Sequence, residues 1–333
     1  IKSTAQHGTY KGYAALALAV LIISTAAVLI KGAQNEGATS GGIAFLRLGI
    51  ATICLIILSF KSICRDVKRC KTDTILRSAL AGIFLAIHFL TWIISLEYIP
   101  VSKSTFLVTT SPIWVAIIGF LVLKETITRH QFIGISIAMV SAIFILYQEG
   151  YNILPISGEE RFEGEILATL GAISIAAYLI TGRTLRNKIE LKTYVFLTYG
   201  FATLALAFHL LYHDQNLMQN LSTTAWFYIW CLALGPQLIG HTILNWGLRH
   251  FPANIVSMTV LAEPIAASML AWIIPDEIIG PSNFIGFVGI LFGIFIIIYS
   301  TSPSIFVATK SQGNENRYKQ SLRVTLFYNL VWR

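Results

Sequence analysis

Glu263 is the residue of this 333-residue chain whose type and setting most invite chemistry: a carboxylate deep in an apolar stretch, followed directly by Pro264. A charge at the centre of a bilayer costs at least about 2.5–3.5 kcal/mol on insertion scales, so such a group faces protein or water. Thr259 lies four residues earlier on the same helical face, and Ala266 and Ala267 continue that face. Together they fit a site for an amine or other cation, or a carboxyl that couples a proton. The structural alternative is an acid that caps the break made by Pro264, whose ring frees a carbonyl and distorts the turn. The residues alone leave both readings open.

Other polar side chains fall into stripes. Gln237, His241 and Asn245 recur every four residues, with Trp246 adjoining. Three polar groups on one face of a membrane helix favour a cavity lining over helix–helix hydrogen bonding. His88, Trp92 and Ser95 form a similar stripe. Both histidines could titrate near neutrality, although a lone membrane histidine is more often a satisfied packing partner. Ser102, Thr105 and Thr109 share a face, and Asn254, Ser257 and Leu261 share another. Their small hydroxyls equally allow close helix packing, and Tyr178 and Tyr199 carry the same ambiguity. Arg47, also inside an apolar stretch, reads as structural, paired with an acid or a helix C-terminus.

These groups suit binding better than catalysis. No G-x-x-x-x-G-K-[ST] phosphate loop occurs, which weighs against ATP-driven pumping within the chain. Neither H-E-x-x-H nor G-x-S-x-G is present, which weakens protease and lipase readings. No enzyme activity and no cofactor are expected.

The elements that must position these residues are membrane helices. Apolar residues make up 55% of the chain and charged ones 12%, against about 25% charged in a soluble protein. Apolar blocks of spanning length, roughly 20 residues, recur from end to end. Spans are expected near 13–31, 41–60, 74–97, 101–123, 130–148, 163–182, 192–211, 223–248, 251–274 and 281–301. Pro100 and Pro252 mark tight hairpins after the third and eighth. Of the 24 Lys and Arg, twenty fall on one side of this arrangement and three (Lys31, Lys103, Arg161) on the other, with Arg47 between. That bias places both termini in the cytosol and explains the net charge of +8 without nucleic acid. No cleavable signal is expected. Cys54 and Cys231 fall inside spans, and Cys64 and Cys70 read as reduced cytosolic thiols rather than a metal or disulfide framework.

The chain also matches itself. At an offset of 152, Pro100 meets Pro252, Pro112 meets Pro264, Glu125 meets Glu277, Phe132 and Gly134 meet Phe284 and Gly286, and Tyr147 meets Tyr299. Five spans per copy is an odd number, so the second copy enters the membrane upside down. The expected fold is therefore an all-α membrane protein with ten transmembrane helices as two inverted five-helix repeats. Its parts are residues 13–148, an external linker at 149–162, residues 163–301, and a cytosolic tail at 302–333. Inverted repeats place a substrate site near the bilayer midplane and alternate its access by rocking.

The same residues resemble the drug/metabolite transporter superfamily, specifically its EamA-like ten-helix carriers. The pattern is Pro100, Pro112, Lys124-Glu125, Gln131-Phe132 and Gly134, then Pro252, Glu263-Pro264, Asp276-Glu277, Asn283-Phe284 and Gly286, together with Arg47. Pro275 departs from the first copy, which has Leu123 there. The resemblance implies a basket of helices around a central cavity, lined by spans 1, 3, 4, 6, 8 and 9, with 5 and 10 outermost. It does not specify the solute.

The function expected is secondary transport of a small metabolite, amino-acid-like, zwitterionic or cationic, with Glu263, Thr259, Gln237, His241, Asn245, Trp246, His88, Trp92, Thr105, Thr109, Ser257 and Tyr178 as candidate binding residues. Membrane lipid is the other expected partner. A coupling proton or a counter-substrate is left open, and a bacterial inner (plasma) membrane is the expected location. A carrier of phosphorylated or nucleotide-linked anions ranks below. It needs Lys or Arg in spans 4 and 9, and none is counted there, Lys103 being assigned to the external side. A non-transporting membrane enzyme is the third reading, and no cluster of acid, base and nucleophile supports it.

Overall fold

Proline and small hydroxyl residues divide the apolar stretches into helices and set where those helices break. The structure is a computed structural model and describes residues 2–148, 162–213, 221–263, 265–266 and 281–311. Among these it is helical throughout, in the order α1 (Lys2–Ile23), α2 (Ala26–Asn35), α3 (Ser40–Arg69), α4 (Thr72–Tyr98), α5 (Val101–Val108), α6 (Ser111–Leu123), α7 (Arg129–Gln148), α8 (Phe162–Leu185), α9 (Leu191–Tyr212) and α10 (Thr223–Leu232). A π-helical segment (Ala233–His241), α11 (Thr242–His250), α12 (Ala253–Thr259), a 3-10 turn (Val260–Ala262) and α13 (Pro281–Ser311) complete it.

Seven stretches of these helices are long and apolar enough to cross a membrane: Lys11–Asn35, Ser40–Arg69, Thr72–Tyr98, Val101–Leu123, Phe162–Leu185, Leu191–Tyr212 and Thr223–His250. Three shorter apolar helices, Arg129–Ile145, Ala253–Ala262 and Phe284–Tyr299, fall where the sequence places spans 5, 9 and 10. Large apolar side chains lie outward along them, Ile57 at 74% exposure and Leu211 at 77%, which only a lipid solvent tolerates in such number. The chain is an integral membrane protein.

Two expected spans stand but are interrupted inside, and two expected helix ends shift. The first span is broken, because Ser24 donates to the Val20 carbonyl at 2.8 Å and Thr25 to that of Ile22 at 2.8 Å, an alternative to the helical ladder. The fourth span breaks in the same way at Thr109 and Thr110, which donate to Phe106 and Leu107. The basic stretch between the second and third expected spans is mostly helix: α3 bends at Ser59 and runs on to Arg69, its last-turn cations suiting the negative helix end. Residues 302–311, expected as the start of a polar tail, continue α13. Pro264, Pro275, Asp276, Glu277, most of the linker at 149–162 and the tail beyond Ser311 lie outside the described residues.

Both proline hinges form as expected, with Ile99 and Phe251 extended and Pro100 and Pro252 starting the next helix. After α2, Gly37 takes a φ of 86°, and the amides of Gly37 and Ala38 close on Gln34 and Ala33 in a Schellman turn.

Contacts recur at the offset of 152. Lys31 Nζ donates to the Leu96 carbonyl at 2.9 Å, and Arg183 Nη1 to that of Leu248 at 2.8 Å. Gly12 lies so close to Phe251 that a Cβ there would sit 2.6 Å from its ring, and a Cβ on Gly164 would sit 2.9 Å from Ile99. Gly240 faces the Ala19 carbonyl as Gly171 faces that of His88. Gly134 abuts Ile297, and Gly286 abuts Ile145. That last pair runs early-to-late in both directions, so α7 and α13 pack antiparallel, with the Gly134 and Gly293 backbones touching.

Candidate functional site

The polar groups that the structure brings together come from α3, α4, α9, the π segment and the residue after the 3-10 turn. Arg47, on α3, is fully buried, its guanidinium carbon 3.8 Å from the centre of the Phe89 ring. Such a stack stabilises a cation most where water is excluded. Its Nε donates to Gln237 Oε1 at 3.1 Å, while Nη1 and Nη2 are buried with no partner among the described residues. Gln237 Nε2 is buried and unpartnered too. The Tyr199 hydroxyl donates to the Gln237 carbonyl at 3.3 Å and lies 3.3 Å from Thr242 Oγ1. Glu263 is 4% exposed and within electrostatic range of Arg47, yet among the described residues the two do not close to an ion pair. His241 meets Phe89 edge to face, 5.2 Å between centroids.

The π-helical segment explains why the expected stripe on the eighth span divides. Pro236 has no amide to offer the helical ladder, and the backbone around it widens to the looser spacing. Gln237 then points to Arg47, while Asn245, four residues beyond His241 in regular helix, turns to another neighbour. Its Oδ1 accepts from the Tyr178 hydroxyl at 2.8 Å, and its Nδ2 donates to the His241 carbonyl at 2.8 Å. Asn245 and Tyr178 thus tie α8 to α11, with their polar atoms already satisfied.

The remaining candidates separate in the same way. His88 Nδ1 lies 2.9 Å from the Gly171 carbonyl, so it donates there as a neutral or charged ring. It stacks with Trp92, whose buried Nε1 has no partner. Thr105 Oγ1 is buried and unpartnered. Thr109, Ser257 and Thr259 instead donate to carbonyls of their own turns, at 2.8, 2.9 and 2.7 Å. Trp246 is not brought to the cluster: it is half-buried and packs on exposed His250, 4.3 Å between centroids.

Two cations stand in settings that the sequence does not reveal. Arg47, read as structural, is at the centre of the cluster, held by Gln237 and Phe89. Lys103, assigned to the external side, lies in the first turn of α5 and is buried against Glu165, Nζ to Oε1 2.6 Å. The fourth span therefore does hold a cation, but one already neutralised. No group of three metal-ligating side chains occurs among the described residues.

The cluster thus combines donors around Arg47 that are unsatisfied and a carboxylate at Glu263 that is unpaired, both among the described residues. The model of the EamA-like transporter family matches the chain twice, over residues 10–147 and 162–299. The chain is 23% identical to the uncharacterized transporter YetK of Bacillus subtilis (strain 168) over 311 residues, 90% of this chain and 91% of that one. It is also 23% identical to the uncharacterized transporter YyaM of the same organism over 240 residues, 70% of this chain and 76% of that one. A solved structure named only as the crystal structure of a protein superposes with a TM-score of 0.66 at 16% identity, covering 88% of this chain and 96% of its own, which speaks to the fold alone.

Proposed function

The chain belongs to the EamA-like transporter family, and on that premise we propose that it is a secondary carrier of a small amino-acid-like solute, working by alternating access. Transport of small solutes follows from the family; the solute class and the mechanism are our reading.

The observation that carries the mechanism is the recurrence of contacts at one offset. If residues 13–148 and 163–301 are two inverted five-helix repeats, every contact between them should have a partner contact 152 residues away with roles exchanged. Lys31–Leu96 with Arg183–Leu248 repeats within the halves' shared frame, and Gly134–Ile297 with Gly286–Ile145 is the exchanged form. The antiparallel packing of α7 on α13 is what inversion requires. In such a fold one arrangement converts to its mirror counterpart by rocking, opening a buried site first to one side and then to the other. The cluster around Arg47 is closed to solvent here, as an occluded intermediate would be.

Glu263 supports the solute class, since a buried carboxylate without a hydrogen-bonded partner among the described residues favours an amine. Phosphorylated anions are disfavoured by the same carboxylate and by the pairing of Lys103 with Glu165. The proposed setting is the bacterial plasma membrane with both termini cytosolic, 149–162 as external linker and the segment beyond the last helix as tail. Flux into proteoliposomes across a panel of amino acids, amines and other metabolites tests the proposal. Correctly inserted protein that moves no solute would defeat it.

A further inference from the structure

Arg47 presents more donors than its surroundings accept. A guanidinium has five N–H groups and no acceptor, and here only Nε is satisfied, by Gln237 Oε1 at 3.1 Å. Nη1, Nη2 and Gln237 Nε2 are all buried without a partner among the described residues. A buried donor left unsatisfied costs about 1–3 kcal/mol, more when charged, so three neighbouring ones are unusual in a native interior. The Phe89 face beneath the guanidinium and the Gln237 amide on its Nε side fix its plane, and the Nη edge is left unpaired among the described residues. That edge is the fork that matches two carboxylate oxygens.

We infer that the Nη edge of Arg47, together with Gln237 Nε2, is the site that receives the carboxylate of the transported solute. Glu263 and Arg47 act on each other electrostatically without forming an ion pair among the described residues, so a solute bearing carboxylate and ammonium on one short skeleton would meet an opposite charge at each end. The inference rests on the proposed carrier function and assigns the end of the solute that Glu263 cannot hold. Tyr199, whose hydroxyl bonds the Gln237 backbone, and Phe89 are positioning residues.

The test uses purified full-length protein with matched trios: L-amino acids, their carboxamides and their decarboxylated amines. Thermal stabilisation gives apparent affinity, and proteoliposome flux gives transport. The expected result is that removing or amidating the carboxylate weakens the best amino acid by about ten-fold or more. Arg47→Gln should abolish that preference but carries a risk of misfolding. Gln237→Glu is the second variant: its carboxylate would occupy Arg47 from within the fold, keep the arginine paired, and remove the acid preference while amine binding persists. Acid and carboxamide equal within about two-fold in wild type, or an acid preference untouched by Gln237→Glu, would overturn the assignment. Flux of an amine with no response to its carboxylate would overturn it while leaving the carrier standing. Absence of any flux or stabilisation would defeat both.

Discussion

Phe89 and His241 meet edge to face with ring centroids 5.2 Å apart, and they are 152 residues apart in sequence. Equivalent positions that touch each other mark where a two-fold relationship between copies would pass. Arg47 and Tyr199 are 152 apart as well, and both bond Gln237. Phenylalanine faces histidine and arginine answers tyrosine, so the two copies share a frame there but differ in chemistry. The proposed solute, with unlike ends, would use that asymmetry.

The glycine contacts should be equally intolerant in both halves. Gly12→Val and Gly164→Val would each drive a branched side chain into Phe251 or into Tyr98 and Ile99. Overpacking costs typically about 1–3 kcal/mol, so both variants should melt several degrees below wild type. Gly235→Ala, whose Cβ finds its nearest neighbour at 3.8 Å, should melt near wild type. A harmless Gly164→Val beside a damaging Gly12→Val would argue against the shared frame.

Lys103 and Glu165 should behave as a buried pair, with side chains 5% and 11% exposed. Lys103→Met leaves a buried carboxylate and should cost about 3–5 kcal/mol. The double variant Lys103→Met/Glu165→Leu should recover most of that loss in a denaturation series. No recovery would mean that the lysine serves something beyond the pair.

Glu263→Gln separates binding from capping. As a solute ligand, Glu263 should lower amine or amino-acid flux by about ten-fold or more when neutralised, with the melting temperature almost unchanged. A fall in melting temperature at preserved flux per folded molecule would favour the structural role.

Tyr178 and Asn245 should be coupled to each other rather than to the solute. A double-mutant cycle of Tyr178→Phe and Asn245→Leu should give a coupling of about 0.6 kcal/mol, up to about 1.7, read from unfolding in detergent. Coupling near zero would mean that the 2.8 Å hydrogen bond contributes nothing.

Lys31 and Arg183 should latch opposite ends. Each donates to the last turn of a packed helix, at Leu96 and Leu248. In a cysteine-free background, Lys31→Met should raise the reactivity of a cysteine at Leu96, and Arg183→Met that of one at Leu248. Membrane-impermeant thiol reagents added to one side or the other provide the readout. Labelling of both from the same side would contradict inversion.

Residue order alone carried the membrane class, the proline hinges and the offset of 152, because each depends on local chemistry. Apolar runs, a missing proline amide and matched Pro, Glu and Gly positions need no knowledge of neighbours. Gln237 and Glu263 were legible as buried polar groups for the same reason. What tertiary structure alone decided is which buried groups remain unsatisfied. A regular α-helix would have put Gln237 and Asn245 on one face, but the π segment around Pro236 sends one to Arg47 and the other to Tyr178. Arg47 has no local feature that distinguishes a packed arginine from one with an open donor edge. Its surroundings are supplied by Phe89, 42 positions later, and Gln237, 190 later. Hydrogen-bond satisfaction is settled by partners brought together from distant helices, and only the folded chain holds that information.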